Sequence, residues 1–246
     1  MVAVSVAPLG DFVRAVGRDL VTPVVAMPAG ADPHTFEPSP GQVARLEAAD
    51  LVLVVGSPGL SWETRLLHRR GRPGLSLLPP NGEAGDPHAW LDLGLVAGLA
   101  PRLADELGRS RPAQRASFRA GGSAFLAEVE ELRVVVASEL APLAGRAYFV
   151  DHPAWSRLTA PHGIAERALE AGHREPTPAT LAARIEEARA VGARSLVVRP
   201  GPLSPAARTF LEATGSRAVV LDPLAVPWRE TVLAGSHAIA EALRGE

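Results

Sequence analysis

Cysteine is absent from the sequence, which excludes disulfides, thiolate metal ligands and cysteine nucleophiles together and leaves nitrogen and oxygen as the donors for any bound metal. Lysine is absent as well. Every basic residue is an arginine, scattered among 27 acids rather than gathered in a stripe, and the formal net charge is −2, so nucleic acid is not expected as a partner. No stretch approaches the ~20 apolar residues of a membrane span. Met1 leads straight into a strand-like run with no basic or apolar leader, so any export signal is expected to be missing from the sequence as given. Also missing is His-Glu-x-x-His or another compact hydrolytic motif, and no enzymatic activity is expected. What is present is 246 residues, 47% hydrophobic and 21% charged, enough for one large domain or two lobes with a packed core.

Strand-like and helix-like patterns alternate along the chain. Short apolar runs at 2–6, 21–27 and 51–55, with a helical stretch around 11–18, are followed in the second half by runs at 147–150, 195–198 and 218–221. This predicts an α/β fold with mainly parallel sheets whose strands are buried on both faces. An internal echo points to two such units. Glu37-Pro38-Ser39-Pro40 begins a helix leading to the strand LVLVV, and Glu175-Pro176-Thr177-Pro178 begins one leading to SLVV. Ser39 and Thr177 suit the N-cap, the next proline suits the first helical position, and Ser39 with Gln42 fits a capping box. Between the halves, Phe118, Phe125, Val129, Leu132 and Val136 fall on one helical stripe. The expected layout is a lobe at 1–112, one long helix at 113–140 and a second lobe at 141–246. Gly121 and Gly122 weaken that helix by about 1 kcal/mol each relative to alanine, so tertiary packing must hold it. A stiff helical connector allows only a small closure motion.

Seven histidines are the main chemical resource. His68 in an arginine-rich turn, His162 and His173 beside glycines, and His237 on the terminal helix read as surface or helix-end residues. The other three share a context. His34 in Asp32-Pro33-His34, His88 in Asp86-Pro87-His88, and His152 just after the run 147–150 all lie at or beyond a strand exit, and Asp222 follows the run 218–221. In open α/β sheets ligands bind beyond the carboxyl ends of the strands. Three imidazoles and one carboxylate make a set suited to zinc and tolerable for manganese. Residue by residue the plainer alternative stays open: each histidine as a partly buried core residue, and Asp222 as a helix N-cap before Pro223. Spacing does not decide between them.

The surrounding sequence adds a resemblance. Pro33-His34-Thr35-Phe36-Glu37-Pro38-Ser39-Pro40, Ala49-Asp50-Leu51-Val52, Asp86-Pro87-His88-Ala89-Trp90-Leu91-Asp92, His152-Pro153-Ala154-Trp155, Glu175-Pro176-Thr177-Pro178 and Leu221-Asp222-Pro223-Leu224, in that order, resemble the zinc/manganese solute-binding proteins of ABC importers. The resemblance implies two Rossmann-like lobes bridged by a long backbone helix and one metal in the cleft between them. It also implies an extracytoplasmic location, periplasmic or lipid-anchored, and delivery to a membrane permease, with the binding protein itself expected to be a monomer. By motif the family's ligands fall on His34, His88, His152 and Asp222. Relatives of the manganese branch usually carry glutamate at the third position, so His152 favours zinc, with manganese as the alternative.

Two departures stand out. Residues 69–86 are short and histidine-free where many zinc-specific relatives have a long His- and acid-rich loop, and Arg199 precedes Pro200 where relatives often place an acid. Arg199 reads either as a surface residue or as the partner of a nearby acid. Asp92 reads at least as readily as a helix N-cap as it does as the acceptor orienting a ligand imidazole, and Glu37 and Asp151 are candidates for the same two roles; Trp90 and Trp155 are expected as cleft wall or core. The competing functions are a zinc-dependent hydrolase, for which no motif is found, and a haem or siderophore binder, for which one Tyr and four Trp are thin provision. An adhesin role could accompany metal binding.

Overall fold

The computed structural model describes residues 1–71, 74–79, 86–170 and 174–245. The chain divides into two compact units, one of Met1–Arg133 with Leu224–Trp228 and one of Val134–Pro223 with Arg229–Glu246. The first contains β1 (Val2–Val4), α1 (Ala7–Gly17), β2 (Pro23–Val25), α2 (Pro40–Glu47), β3 (Leu51–Val54), α3 (Ser61–Arg70), β4 (Leu75–Ser76) and α4 (Leu93–Ser110). The long helix α5 (Arg115–Leu140) carries the chain into the second unit. There follow β5 (Ala147–Val150), α6 (Ser156–Thr159), β6 (Ala165–Ala168), α7 (Pro178–Ala190), β7 (Ser195–Val198), α8 (Pro205–Thr214) and β8 (Arg217–Val220), before α9 (Trp228–Arg244) ends the fold.

Each unit holds a four-stranded parallel sheet, in the order β2-β1-β3-β4 and β6-β5-β7-β8. The order is the same, so the repeat heard in the two Pro-rich motifs is a repeat of topology. Ser39 caps α2 with a full capping box to Gln42, and Thr177 caps α7. Both helices lead into the strand that lies beside the first strand of its unit. VAV in β1, LVLV in β3 and SLVV in β7 are buried throughout, as strands covered on both faces must be. In the second unit Phe149, Leu196, Val198, Ile185 and Phe210 form the core, with Phe149 and Phe210 rings 5.5 Å apart.

The helix expected at 11–18 starts at Ala7, because Pro8 sits in the first turn, where a missing N–H costs no intrahelical bond. The run 21–27 yields only the three-residue β2, since Pro23 opens the strand. The stripe on α5 is buried as expected at Phe118, Phe125, Val129, Leu132 and Val136. Its glycines have a packing reason. A Cβ on Gly121 would stand 2.2 Å from the carbonyl oxygen of Val16, and one on Gly122 would stand 2.8 Å from Ala104 Cβ, so α1 and α4 approach α5 too closely for any side chain.

Candidate metal centre

In the first unit Asp-Pro-His occurs twice and builds the same turn twice. The backbone N–H of His34 donates to Asp32 Oδ1 at 2.8 Å, and that of His88 to Asp86 Oδ1 at 2.9 Å. Proline between them fixes φ and removes a competing donor, so the aspartate reaches over to the histidine. The first turn is anchored from α3, where buried Trp62 donates its indole N–H to the Pro33 carbonyl and stacks edge-on against Phe36 at 5.1 Å. The second leads into a 3₁₀ turn at Ala89–Leu91, in which buried Trp90 lies 5.3 Å from the His88 ring.

These turns bring His34 and His88 together. Their ring centroids are 5.6 Å apart, and a ligand nitrogen of one lies within 4.8 Å of a ligand nitrogen of the other. His88 is buried, and His34 has its Nε2 buried. The Nδ1 of His88 is 2.6 Å from Asp86 Oδ1. A carboxylate only accepts, so Nδ1 carries the proton and the lone pair is on Nε2, the nitrogen presented to a cation.

In the second unit His152 is buried two residues beyond β5, with its backbone N–H bonded to Asp151 Oδ1 at 2.7 Å and its Nδ1 2.7 Å from Glu170 Oε2. The same logic leaves Nε2 as the donor atom. Register explains Glu170: β5 and β6 pair Val150 with Ala168, and two further bonds, Leu169 N–H to the Val150 carbonyl and Glu170 N–H to the Asp151 carbonyl, extend that pairing beyond the strands. Burial pushes the Asp151 carboxyl up, against the pull of the Arg199 backbone N–H and guanidinium. Asp222 follows β8, the edge strand, and is exposed. No helix begins at Pro223, and the next starts at Trp228, so an N-cap role for Asp222 is not what the fold uses.

The carboxylates weighed for orienting an imidazole make other contacts, Asp92 in the N-cap role also read for it. Asp92 caps α4 through Leu95 N–H at 3.0 Å, and Glu37 pairs with Arg65 at the surface. Asp151 touches only the His152 main chain in that role. Asp86 and Glu170 take their place. Asp86 carried a signal, the repeated Asp-Pro-His, whereas Glu170 is found only through strand register. Arg199 is the partner of an acid, its Nη2 lying 2.9 Å from Glu170 Oε1. Of the remaining histidines, His68 is in the last turn of α3, His162 ends a 3₁₀ turn, and His237 on α9 pairs with Glu139 at 2.9 Å. His173 lies outside the described residues.

Two parallel α/β units of one topology, with buried His88 and His152 each held through Nδ1 by a carboxylate, define a duplicated α/β protein with imidazole donors set for a cation. The chain belongs to the family of the zinc-uptake complex component A, periplasmic, which it matches over residues 2–233. It is similar to the zinc-binding lipoprotein AdcA of Streptococcus pneumoniae strain R6, at 23% identity over 95% of this chain and 52% of that protein. It also resembles the manganese-binding lipoprotein MntA of Halalkalibacterium halodurans, at 27% identity over 53% of this chain and 46% of the relative. Among solved structures, a crystal structure of ZnuA superposes with a TM-score of 0.90 at 28% identity, covering 98% of both chains. The chain spans about half the length of the first curated relatives it matches.

Proposed function

We propose that this chain captures a divalent transition metal, zinc in preference to manganese, with His34, His88, His152 and Asp222, and hands it unchanged to the membrane permease of an ABC importer outside the cytoplasm. The observation that carries the reading is the His34–His88 pair: two imidazoles with ligand nitrogens within 4.8 Å, built by the same Asp-Pro-His turn, one with its Nδ1 held by a carboxylate. Imidazole donors favour zinc over manganese, and His152 with Asp222 completes a set of three nitrogens and one oxygen. Four protein ligands suit a cargo site, whereas hydrolysis needs an open position for water. Membership of the zinc-uptake family supports the transport role and the extracytoplasmic location, and the MntA relative supports manganese as the second metal.

The test is elemental analysis by mass spectrometry of protein purified without chelators or a nickel column. About one zinc per chain is expected, and protein carrying no transition metal under zinc-replete growth overturns the reading. Alanine at His34, His88, His152 or Asp222 should weaken zinc by more than the roughly 10–100-fold that outer-shell changes cost. Alanine at exposed His68 should leave binding unchanged, and equal binding by His88→Ala and His68→Ala would refute the ligand assignment.

A further inference from the structure

Three neighbouring strands of the second unit, β6, β5 and β7, each release one charged or ligating side chain at the carboxyl end. β5 gives His152, β6 gives Glu170 and β7 gives Arg199, and the three are joined in a line. Glu170 receives His152 Nδ1 on Oε2 at 2.7 Å and Arg199 Nη2 on Oε1 at 2.9 Å. The line is held at both ends. Asp151 N–H bonds the Val197 carbonyl at 2.9 Å, and the Arg199 backbone N–H reaches Asp151 Oδ2 at 3.4 Å, with its Nε 4.0 Å from the same oxygen. Glu170 is thus clamped through both oxygens by two partners, and its side chain is only 15% exposed.

We infer that Arg199 is a positioning residue that keeps Glu170 as the hydrogen-bond acceptor of His152 and out of the metal's ligand set, and that discrimination of zinc against manganese depends on it. The inference rests on the reading that His152 binds the metal. A carboxylate beside a ligand imidazole has two uses: it can orient the ring, or it can turn an oxygen to the cation itself. Oxygen donors suit manganese and higher coordination, while imidazoles suit four-coordinate zinc. A guanidinium N–H on the distal oxygen offsets the carboxylate's charge and holds that oxygen away from the ring, so the first use prevails. Without Arg199 the Oε1 of Glu170 loses its guanidinium partner, the carboxylate is less firmly fixed in its plane, and a nearby cation can draw that oxygen towards itself.

The experiment loads wild type, Arg199→Leu, Arg199→Lys and the double variant Arg199→Leu/Glu170→Gln with cobalt(II), and measures the zinc-to-manganese affinity ratio by competition. The wild type should give the intense visible bands of four-coordinate cobalt. Arg199→Leu should weaken those bands and narrow the zinc-over-manganese ratio by about 10-fold, the lower end of outer-shell effects. Arg199→Lys, which keeps the charge, should stay nearer wild type, and the double variant should recover the four-coordinate spectrum, because glutamine is a poorer ligand. Identical spectra and ratios in wild type, Arg199→Leu and Arg199→Lys overturn the inference alone, as does a double variant that stays shifted. Wild type that binds neither cobalt nor zinc overturns the metal-site reading beneath it.

Discussion

Asp86 accepts two hydrogen bonds from one residue, the backbone N–H of His88 at 2.9 Å and its ring Nδ1 at 2.6 Å, so it sets both where the ring stands and which nitrogen it presents. Asp86→Ala should therefore cost about 10–100-fold in zinc affinity with the ligand itself intact, read by competition against a chelating dye. An unchanged affinity would show that packing against Trp90 alone aims the ring. Glu63 poses a different residue-scale question. It is buried on α3 and accepts from Val55 N–H at 3.0 Å and Gly56 N–H at 2.7 Å, tying the exit of β3 to the helix that follows. Burial raises its pKa from 4.5 to about 7, overcoming the hydrogen bonds that pull it down. A carboxyl raised on folding binds its proton more tightly in the native state, so its contribution is full below pH 4.5 and is lost as pH rises through about 7. The loss is on the order of 3 kcal/mol. Urea unfolding from pH 5 to 8 should show wild type losing stability relative to Glu63→Gln; parallel curves would mean the charge is accommodated. Glu63's role was not legible from local sequence, since it reads as an ordinary first-turn helical acid, whereas the repeated Asp-Pro-His pointed to Asp86.

At the scale of elements, helix starts and buried strands were the most legible features, because their causes are local. Ser39-Pro40 and Thr177-Pro178 announce a cap and a first turn, and VAV, LVLV and SLVV announce strands buried on both faces. What stayed hidden is whatever depends on a second element. Gly121 and Gly122 read as weaknesses in α5, and the fold shows them to be contact points for α1 and α4. The two views predict opposite signs for Gly121→Ala. Propensity alone gives a gain of about 1 kcal/mol, whereas a Cβ 2.2 Å from the Val16 carbonyl meets backbone that cannot swing aside, and overpacking of this kind costs about 1–3 kcal/mol. A net fall in thermal stability is expected on calorimetry, and a rise would mean that α1 shifts away without cost. Glu170 belongs to the same lesson: its tie to His152 follows from the β5–β6 register, which no composition or periodicity encodes.

Across the whole molecule, the duplicated Glu-Pro-Ser/Thr-Pro motif foretold a duplicated topology, and the two sheets share their strand order. The proposed ligands are duplicated only in part: His88 beyond β4 and Asp222 after β8 leave equivalent edge strands, whereas His34 follows β2 and His152 follows β5, which are not equivalent. The set proposed above draws on both copies of the fold, so if that proposal holds metal affinity should follow global stability. Metal that binds the native chain and not the unfolded one stabilises it by about 2.7 kcal/mol at a free concentration 100 times Kd. For a chain of this length that is a rise of roughly 5–10 °C in Tm. Protons oppose it, because each imidazole must be neutral to ligate and histidine ordinarily takes up its proton near pH ~6.5. Scanning calorimetry at fixed zinc should therefore show the full shift at pH 7.5 and most of it gone at pH 5. The low-pH loss should be steeper than one proton could produce, since the proposed set asks three histidines to give up protons together. An equal shift at both pH values would place the metal on carboxylates instead, and a shift that survives alanine at His88 would move it off this set of residues.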